Sequence, residues 1–573
     1  MIGLNKIGLN QVQLNRLHLN APFPAYGKMA GGSGSGDGFP QLPGDVTRWH
    51  FGGLTNEMMA AMDDPRIEDA DHKGRFLSFK NFAWKGMSGV GGYVQDFNYF
   101  RNNATVDKIR IDEQGSNSIK VTILTTGIGN AIYIPKNIYQ FNKSYFIKIS
   151  SEGYDEGDMA LSFYAPSTST ATTVTVSLNP NGITEIPAIK EDDFLAVYIN
   201  VSGKVGSFTV EQLPLYPGAL VFDGVDDYGV CDNFPILTKE KGYTVVALRQ
   251  WITYNPNAIS AIATNASDQS FNGAFTFENY NKGAEQTISY GATQISLQYS
   301  KSPFSWQTTS KYNGFNIANG NKDATNSLVL GRSYPQRNEF ANFAIWELVF
   351  LDHDATEEEL TKIKDYFVKT YPWLFPDQAW TVTGKTNEDE DRATIANITG
   401  NGNDLVLSNF GFAEGSGYNE EGEYAGYLVT DGVDDKIVSS SFGMGKDFTI
   451  VGDWKFIDNK KSGTGLVKGS SFYIYNTMIG LDLYINSGSV KNSLDGIKSI
   501  NAACSDGRAY DRNWNEILAN TGNVVGSGGM LEVSSSGGRF DRIAFKNLAI
   551  YPRILSKDDC IKAYNYLQTL KAK

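Results

Sequence analysis

The sequence predicts an all-β protein: two tandem β-sandwiches, the first interrupted by a third. Three observations carry this prediction. First, short runs rich in Val, Ile, Thr, Tyr and Phe alternate along the chain with Gly, Asn, Asp and Ser, the punctuation expected of many short strands. Second, Ala219-Leu-Val-Phe-Asp-Gly-Val-Asp-Asp-Tyr228 is repeated as Tyr427-Leu-Val-Thr-Asp-Gly-Val-Asp-Asp-Lys436, 208 positions later. Third, an upstream pair matches as well, Asn81-Phe-Ala-Trp-Lys-Gly-Met-Ser-Gly89 and Asn409-Phe-Gly-Phe-Ala-Glu-Gly-Ser-Gly417, but here the offset is 328. The offsets differ by 120 residues, so the first copy holds that much extra chain between its two marks. A domain inserted into a surface loop accounts for this, because chain ends that lie close together make such insertions tolerable.

Residues 1–25 read as an N-terminal anchor. Ile2, Leu4, Ile7, Leu9, Val12, Leu14, Leu17 and Leu19 recur in a five-residue repeat, each unit carrying Asn after its second apolar residue. Period five fits neither a helix nor a plain strand. It gives each unit a short apolar-x-apolar strand followed by an Asn turn. So short a stretch cannot bury these side chains by itself. Two readings stand side by side: a docking peptide that orders against a larger partner by adding to a sheet edge, or an unstructured tail or cap on the protein's own surface. The recurring Asn also breaks the unbroken apolar region that a signal peptide needs. Residues 26–62 hold a flexible Gly-rich tether, Gly27 to Gly38, and one short helix, Leu54 to Met62, capped by Thr55 or Asn56.

The first module is expected at 63–93 plus 215–375, the insertion at 94–214 and the second module at 376–573. In the insertion, Lys108-Ile-Arg-Ile-Asp112, Ser118-Ile-Lys-Val-Thr-Ile-Leu124, Ser144-Tyr-Phe-Ile-Lys-Ile-Ser150 and Phe194-Leu-Ala-Val-Tyr-Ile-Asn200 alternate with period two. Half-buried antiparallel strands, and so a smaller β-sandwich, follow from that pattern. Both modules end on an apolar strand, Phe340 to Leu351 and Phe540 to Tyr551, and then a short helix. Thr356 and Ser556 stand as N-caps with Glu359 and Asp559 three residues on, the capping-box layout, Asp being the weaker partner. Leu360, Ile363 and Phe367, and Ile561, Tyr564 and Leu567, then recur at helical spacing.

Composition excludes several functions. A net charge of −13 argues against nucleic acid as a partner, since phosphate binding needs a basic stripe. No run approaches a membrane span. Cys231, Cys504 and Cys560 form no metal spacing and read as reduced core residues. His18, His50, His72 and His353 are scattered, the last three in loops, and assemble no nucleophile-base pair or zinc site. Glycoside hydrolysis needs paired carboxylates, and the nearest acidic cluster, Glu388-Asp-Glu-Asp391, reads as a solvated loop. The glycines from Gly86 to Gly92 lack the Gly-Lys-Ser/Thr ending of a phosphate loop. No catalytic residue is expected.

Asp223, Gly224 and Asp227, with Asp431, Gly432 and Asp435, read as structural turns. Asp-Gly favours a tight hairpin turn with Gly at positive φ, and Asp226, Asp227, Asp434 and Asp435 are placed to cap the amides of the next strand. Clustered oxygens make calcium the one alternative; otherwise no cofactor is expected. Asn401, Asn403 and Asp404 are weighed in the same way. Aromatic candidates for stacking on sugars are Phe277-Glu-Asn-Tyr-Asn281, Trp306 and Tyr312, which sequence does not separate from packing.

The strands running into Asp-Gly-Val-Asp-Asp, those from Phe448 to Trp454 and from Tyr243 to Trp251, and the closing strand-helix units together resemble the concanavalin A-like, laminin-G-type jelly roll over 63–93 and 215–573. The wider pattern includes Thr383-Gly-Lys-Thr-Asn-Glu-Asp-Glu-Asp-Arg392, Thr399-Gly-Asn-Gly-Asn-Asp404 and Leu213-Pro-Leu-Tyr-Pro-Gly-Ala219. It is similar to multidomain virion proteins of phages infecting Bacteroidetes, the crAss-like group among them. The resemblance implies a non-enzymatic fibre or capsid-decoration protein, assembled in the host cytoplasm and sited on the capsid surface. It would be fixed to the major capsid or other virion proteins by its N-terminus, would form a closed homo-oligomer and would display lectin-like domains to glycans. A head fibre is expected because no coiled-coil or β-helical shaft is visible. A tail fibre or receptor-binding protein and a polysaccharide depolymerase are the alternatives, since such folds host lectins, hydrolases and plain structural units.

Overall fold

The computed structural model describes residues 38–572 apart from several internal stretches, the longest at 266–275, 289–314 and 519–530. The fold is all-β: three two-layer sandwiches and a few short helices. In the first sandwich one sheet is ordered Phe315–Asn319, Thr244–Thr253, Asn342–Leu351, Leu220–Asp223, Gly89–Val90. The facing sheet begins Arg66–Glu68, Phe76–Lys80, Tyr228–Cys231, Leu328–Leu330 and continues through Ser260–Thr264. Trp49, Leu77, Phe79, Phe222, Phe343 and Phe350 fill the space between them.

Val46–His50 also belongs to this module, pairing with Glu347–Leu351 on the edge that Leu220–Asp223 shares further along. The module therefore starts ahead of residue 63, where the sequence reading placed its boundary. Val-Thr-Arg-Trp-His hides its strand because two of five side chains are ionisable, yet its first four residues are buried. Of the segment read as tether and helix, the glycine-rich stretch up to residue 37 lies outside the described residues, and the helix is Asn56–Ala60, which Thr55 caps by accepting from Met58 N at 3.1 Å.

The second sandwich repeats the plan. Gln378–Thr381 pairs with Ile543–Tyr551 and sets Trp380 opposite Leu548, as Trp49 stands opposite Leu348. Trp380, Leu407, Trp454 and Phe545 lie in its core. The insertion is a sandwich of two five-stranded sheets around Val121, Ile149, Phe163 and Val210. Its strands keep the alternation read from the sequence; Ser118–Ile123, for example, buries every second residue. Where the chain leaves and re-enters the first module, Leu215 N donates to Gly92 O at 2.9 Å and Tyr216 N to Gly91 O at 2.8 Å. The insertion's ends thus lie side by side, the geometry that lets a loop accept a domain.

Both modules end in the expected helices. Glu357–Thr370 has a complete capping box between Thr356 and Glu359, and Lys557–Gln568 is capped by Ser556, which accepts from Asp559 N at 3.1 Å. These helices lie in a fourth apolar cluster outside the three sandwiches. It joins Trp346 and Val349 of the first module, Leu360 and Phe367 of its helix, Val451 and Tyr551 of the second module, Tyr564 and Leu567 of the last helix, and Phe146 and Ile183 of the insertion. Phe146 meets Tyr564 edge to face at 5.3 Å. Asn342–Leu351 is covered on both faces, and this is why it reads as a continuous apolar run rather than an alternating one. Cys231, Cys504 and Cys560 are free and buried. Among the described residues no helix is long and apolar enough to cross a membrane.

Candidate functional site

The two repeated motifs meet in space, once in each module. Asp227 accepts the Ser88 hydroxyl at Oδ1 (2.9 Å) and the Asp223 amide at Oδ2 (3.0 Å). Asp435 accepts the Ser416 hydroxyl (3.1 Å) and the Asp431 amide (2.7 Å) in the same way. Asp223 Oδ1 takes the Val225 and Asp226 amides, and Asp431 Oδ1 those of Val433 and Asp434. Asn81 Nδ2 donates to Asp226 O and Asn409 Nδ2 to Asp434 O, both at 3.0 Å. Gly224 and Gly432 have φ of +77° and +72°, the left-handed region a Cβ disfavours.

These are not hairpin turns, which corrects the sequence reading. Leu220–Asp223 and Tyr228–Cys231 belong to different sheets, so the turn carries the chain across the sandwich. Nor do Asp227 and Asp435 cap the strand that follows; they reach back to the amide four residues upstream. The serine and asparagine partners were missed. The signal was available, because two motifs that recur together in both copies are candidates for contact.

Burial pushes Asp227 up to about 7; the Asp223 carboxylate adds to the rise, and the hydrogen bonds from Asp223 N and Ser88 draw it back. Burial likewise pushes Asp435 up to about 6. In each turn three carboxylates (Asp223, Asp226, Asp227; Asp431, Asp434, Asp435) can bring one oxygen each within 4.8 Å of the others. A cation would have to share the buried oxygens of Asp227 and Asp435 with an amide and a hydroxyl already bound. The donor set fits a hydrogen-bonded turn better than a calcium cage. Asn401, Asn403 and Asp404 also serve a turn: Asp404 Oδ1 accepts Asn397 N at 2.7 Å, and Asn401 Nδ2 donates to Asp377 O at 2.8 Å.

A second polar cluster has no counterpart in the repeat. Glu347 is fully buried and takes Arg48 Nη1 at 3.4 Å, His50 Nδ1 at 2.5 Å, Tyr371 OH at 2.9 Å and Tyr366 OH at 3.3 Å. Burial, with Glu347 beside it, holds the Tyr371 hydroxyl well above the usual phenol range. His50 thus ends a strand rather than sitting in a loop. The second module has Asn547 opposite Thr381 where the first has Glu347 opposite His50. His72 lies 3.0 Å from Glu68 and His353 3.0 Å from Glu359. Burial alone would lower His353, but Glu359 and Asp352 outweigh it and raise it.

Glu388 and Glu390 are exposed, while Asp389 accepts Thr386 N and Asp391 pairs with Lys385 at 2.7 Å. The anchor residues Ile2, Leu4, Ile7, Leu9, Val12, Leu14, Leu17 and Leu19, with His18, Trp306 and Tyr312, lie outside the described residues. Phe277 and Tyr280 fall on the strand Thr276–Tyr280, whose side chains are not described.

No protein-family model matches the chain, and no curated protein matches it. Among solved structures it is similar to Trypanosoma rangeli sialidase in complex with the inhibitor DANA: 9% identity, TM-score 0.25, over 86% of this chain and 92% of that one. It is also similar to the botulinum neurotoxin serotype D binding domain: 10% identity, TM-score 0.22, over 60% of this chain and 89% of that one. At TM-scores of this size neither likeness carries an argument about activity or ligand.

Proposed function

We propose that this chain is a non-enzymatic structural protein of a bacteriophage virion, a head fibre that docks on the capsid through residues 1–25 and displays lectin-like sandwiches to glycans. The observation that carries this reading is the order of parts. An apolar five-residue repeat and a Gly-rich tether precede a body in which three sandwiches share one apolar cluster. A body fused in this way suits display. Its buried carboxylates support the non-catalytic role, because Asp227 and Asp435 hold turns and Glu347 is enclosed by Arg48 and two tyrosines. Weak glycan contacts would gain strength from many copies on one particle, each copy in a closed homo-oligomer.

The test is binding of the intact chain, and of a chain lacking residues 1–25, to purified capsids and to purified tails. Capsid binding lost on deletion is the expected result. Binding to tails alone would move the protein to the adsorption apparatus, and binding unchanged by deletion would make the repeat a passive tail. A glycan-release assay showing turnover would favour a depolymerase instead.

A further inference from the structure

We propose that Cys504 and Cys560 form an oxidation site, at which a peroxide converts the two thiols into a disulfide that clamps the last helix to the second sandwich.

The two cysteines come from different elements. Cys504 ends the strand Ile500–Cys504, and Cys560 lies in the first turn of the helix Lys557–Gln568. Both are fully buried in the cluster that the three sandwiches share. The chain leading into the helix is tied down beside them. Thr449 Oγ1 donates to Arg553 O and accepts Leu555 N, each at 2.9 Å, and Arg508 Nη2 donates to Leu555 O at 3.3 Å. Cys504 Sγ lies 3.9 Å from Leu555 O and 3.6 Å from Thr449 Oγ1. With Leu555 held there, the first helical turn sets the Cys560 thiol in hydrogen-bond contact with that of Cys504. Sulfurs in such contact are a short movement from a bond of about 2.05 Å.

The fold does not need this pair. In the first module Thr244 makes the same two bonds, donating to His353 O at 3.0 Å and accepting Ala355 N at 2.8 Å. Thr244 pairs with Leu351 and Asn319 as Thr449 pairs with Tyr551 and Cys504, so Asn319 holds the register position of Cys504. Leu360 follows the cap Thr356 as Cys560 follows the cap Ser556. The junction is thus built once without sulfur and once with two thiols in contact.

The thiols are not equivalent. The hydrogen bond from Cys560 favours the thiolate of Cys504 and, with the Arg508 guanidinium nearby, holds it below the ordinary thiol value. The same bond, with burial, pushes Cys560 up. Cys504 is therefore the attacking sulfur. It takes one oxygen of hydrogen peroxide, the O–O bond breaks, and the other oxygen leaves as water, giving a sulfenic acid. The Cys560 sulfur then displaces the sulfenic oxygen, which carries off the remaining thiol proton as a second water. The sulfurs lose the two electrons that the peroxide gains. Local opening of the helix admits an oxidant little larger than water. The bond closes a loop that includes the strand Ile543–Tyr551, and so restricts the unfolded chain.

The experiment is treatment of the folded full chain with dilute hydrogen peroxide, followed by peptide mass spectrometry without reduction. A linked Cys504–Cys560 peptide pair is expected, lighter by the lost thiol hydrogens. Cys231, whose burial pushes it up to about 12, should remain a thiol. The unfolding midpoint should rise by roughly 3 °C and fall back on reduction with dithiothreitol. Cys560→Ser should stop at a sulfenic acid on Cys504, trapped by dimedone, and Cys504→Ser should leave Cys560 unoxidised. No linked pair in the wild-type chain, a link only after unfolding in urea, or Cys231 oxidised as fast as the pair would each overturn the proposal. A linked chain with an unshifted midpoint would overturn the clamp.

Discussion

Ser88 donates its hydroxyl to Asp227 Oδ1 at 2.9 Å across 139 positions of chain, whereas the equivalent bond from Ser416 to Asp435 spans 19. The difference, 139 − 19 = 120, is the offset between the repeated motifs. The first module thus keeps the same staple although a whole sandwich is spliced between its two ends.

Removing that staple should weaken the first module. Ser88→Ala leaves buried Asp227 Oδ1 without its donor and Ala83 N without its acceptor, at an expected cost of about 1–3 kcal/mol. Calorimetric unfolding of the variant should show the midpoint lowered relative to wild type.

The raised carboxylates predict a pH dependence. A folded-state pKa near 7 for Asp227 and near 6 for Asp435 means that the folded chain retains protons which the unfolded chain has already released. Their stabilising contribution is therefore whole below about pH 4 and is lost as pH rises through about 7. Asp227→Asn cannot ionise, so its unfolding midpoint relative to wild type should rise between pH 4 and pH 8. A constant difference across that range would count against the burial argument.

The Glu347 cluster should be costly to break. Glu347→Ala leaves Arg48, itself 1% exposed, as a buried cation without its carboxylate, at an expected loss of about 3–5 kcal/mol. Denaturant unfolding at neutral pH measures it.

If the acidic turns are hydrogen-bonded structure, millimolar calcium should leave the unfolding midpoint where a chelator leaves it. A rise of several degrees with calcium would show that an ion displaces the amide and hydroxyl partners of Asp227 and Asp435.

Phe146 belongs to the cluster shared with the second module, not to the insertion's own core. Phe146→Ala should therefore leave the insertion folded but uncouple it, and calorimetry should resolve its unfolding as a separate transition. A single unchanged transition would show that Tyr564 is not what holds it.

Much of the fold could be read from residues alone because it is written locally. Period-two runs mark the strands of the insertion, Thr356 and Glu359 announce a helix start, and the mismatched motif offsets reveal the splice. What could not be read depends on pairing between distant segments. Arg48 and His50 look like surface residues until Val46–His50 is paired with the strand that carries Glu347. Asn56, weighed as a helix cap, is instead a buried clamp whose amide bonds both N and O of Val90, as that of Asn387 bonds Tyr418.

The central claim, that this body projects from a capsid through its N-terminal repeat, is tested most directly by cryo-electron microscopy of the intact virion. Projections on the capsid surface into which the three-sandwich body fits, joined to the shell by a thin N-terminal connection, are expected. Finding the body only on the tail, or on no part of the particle, would contradict it.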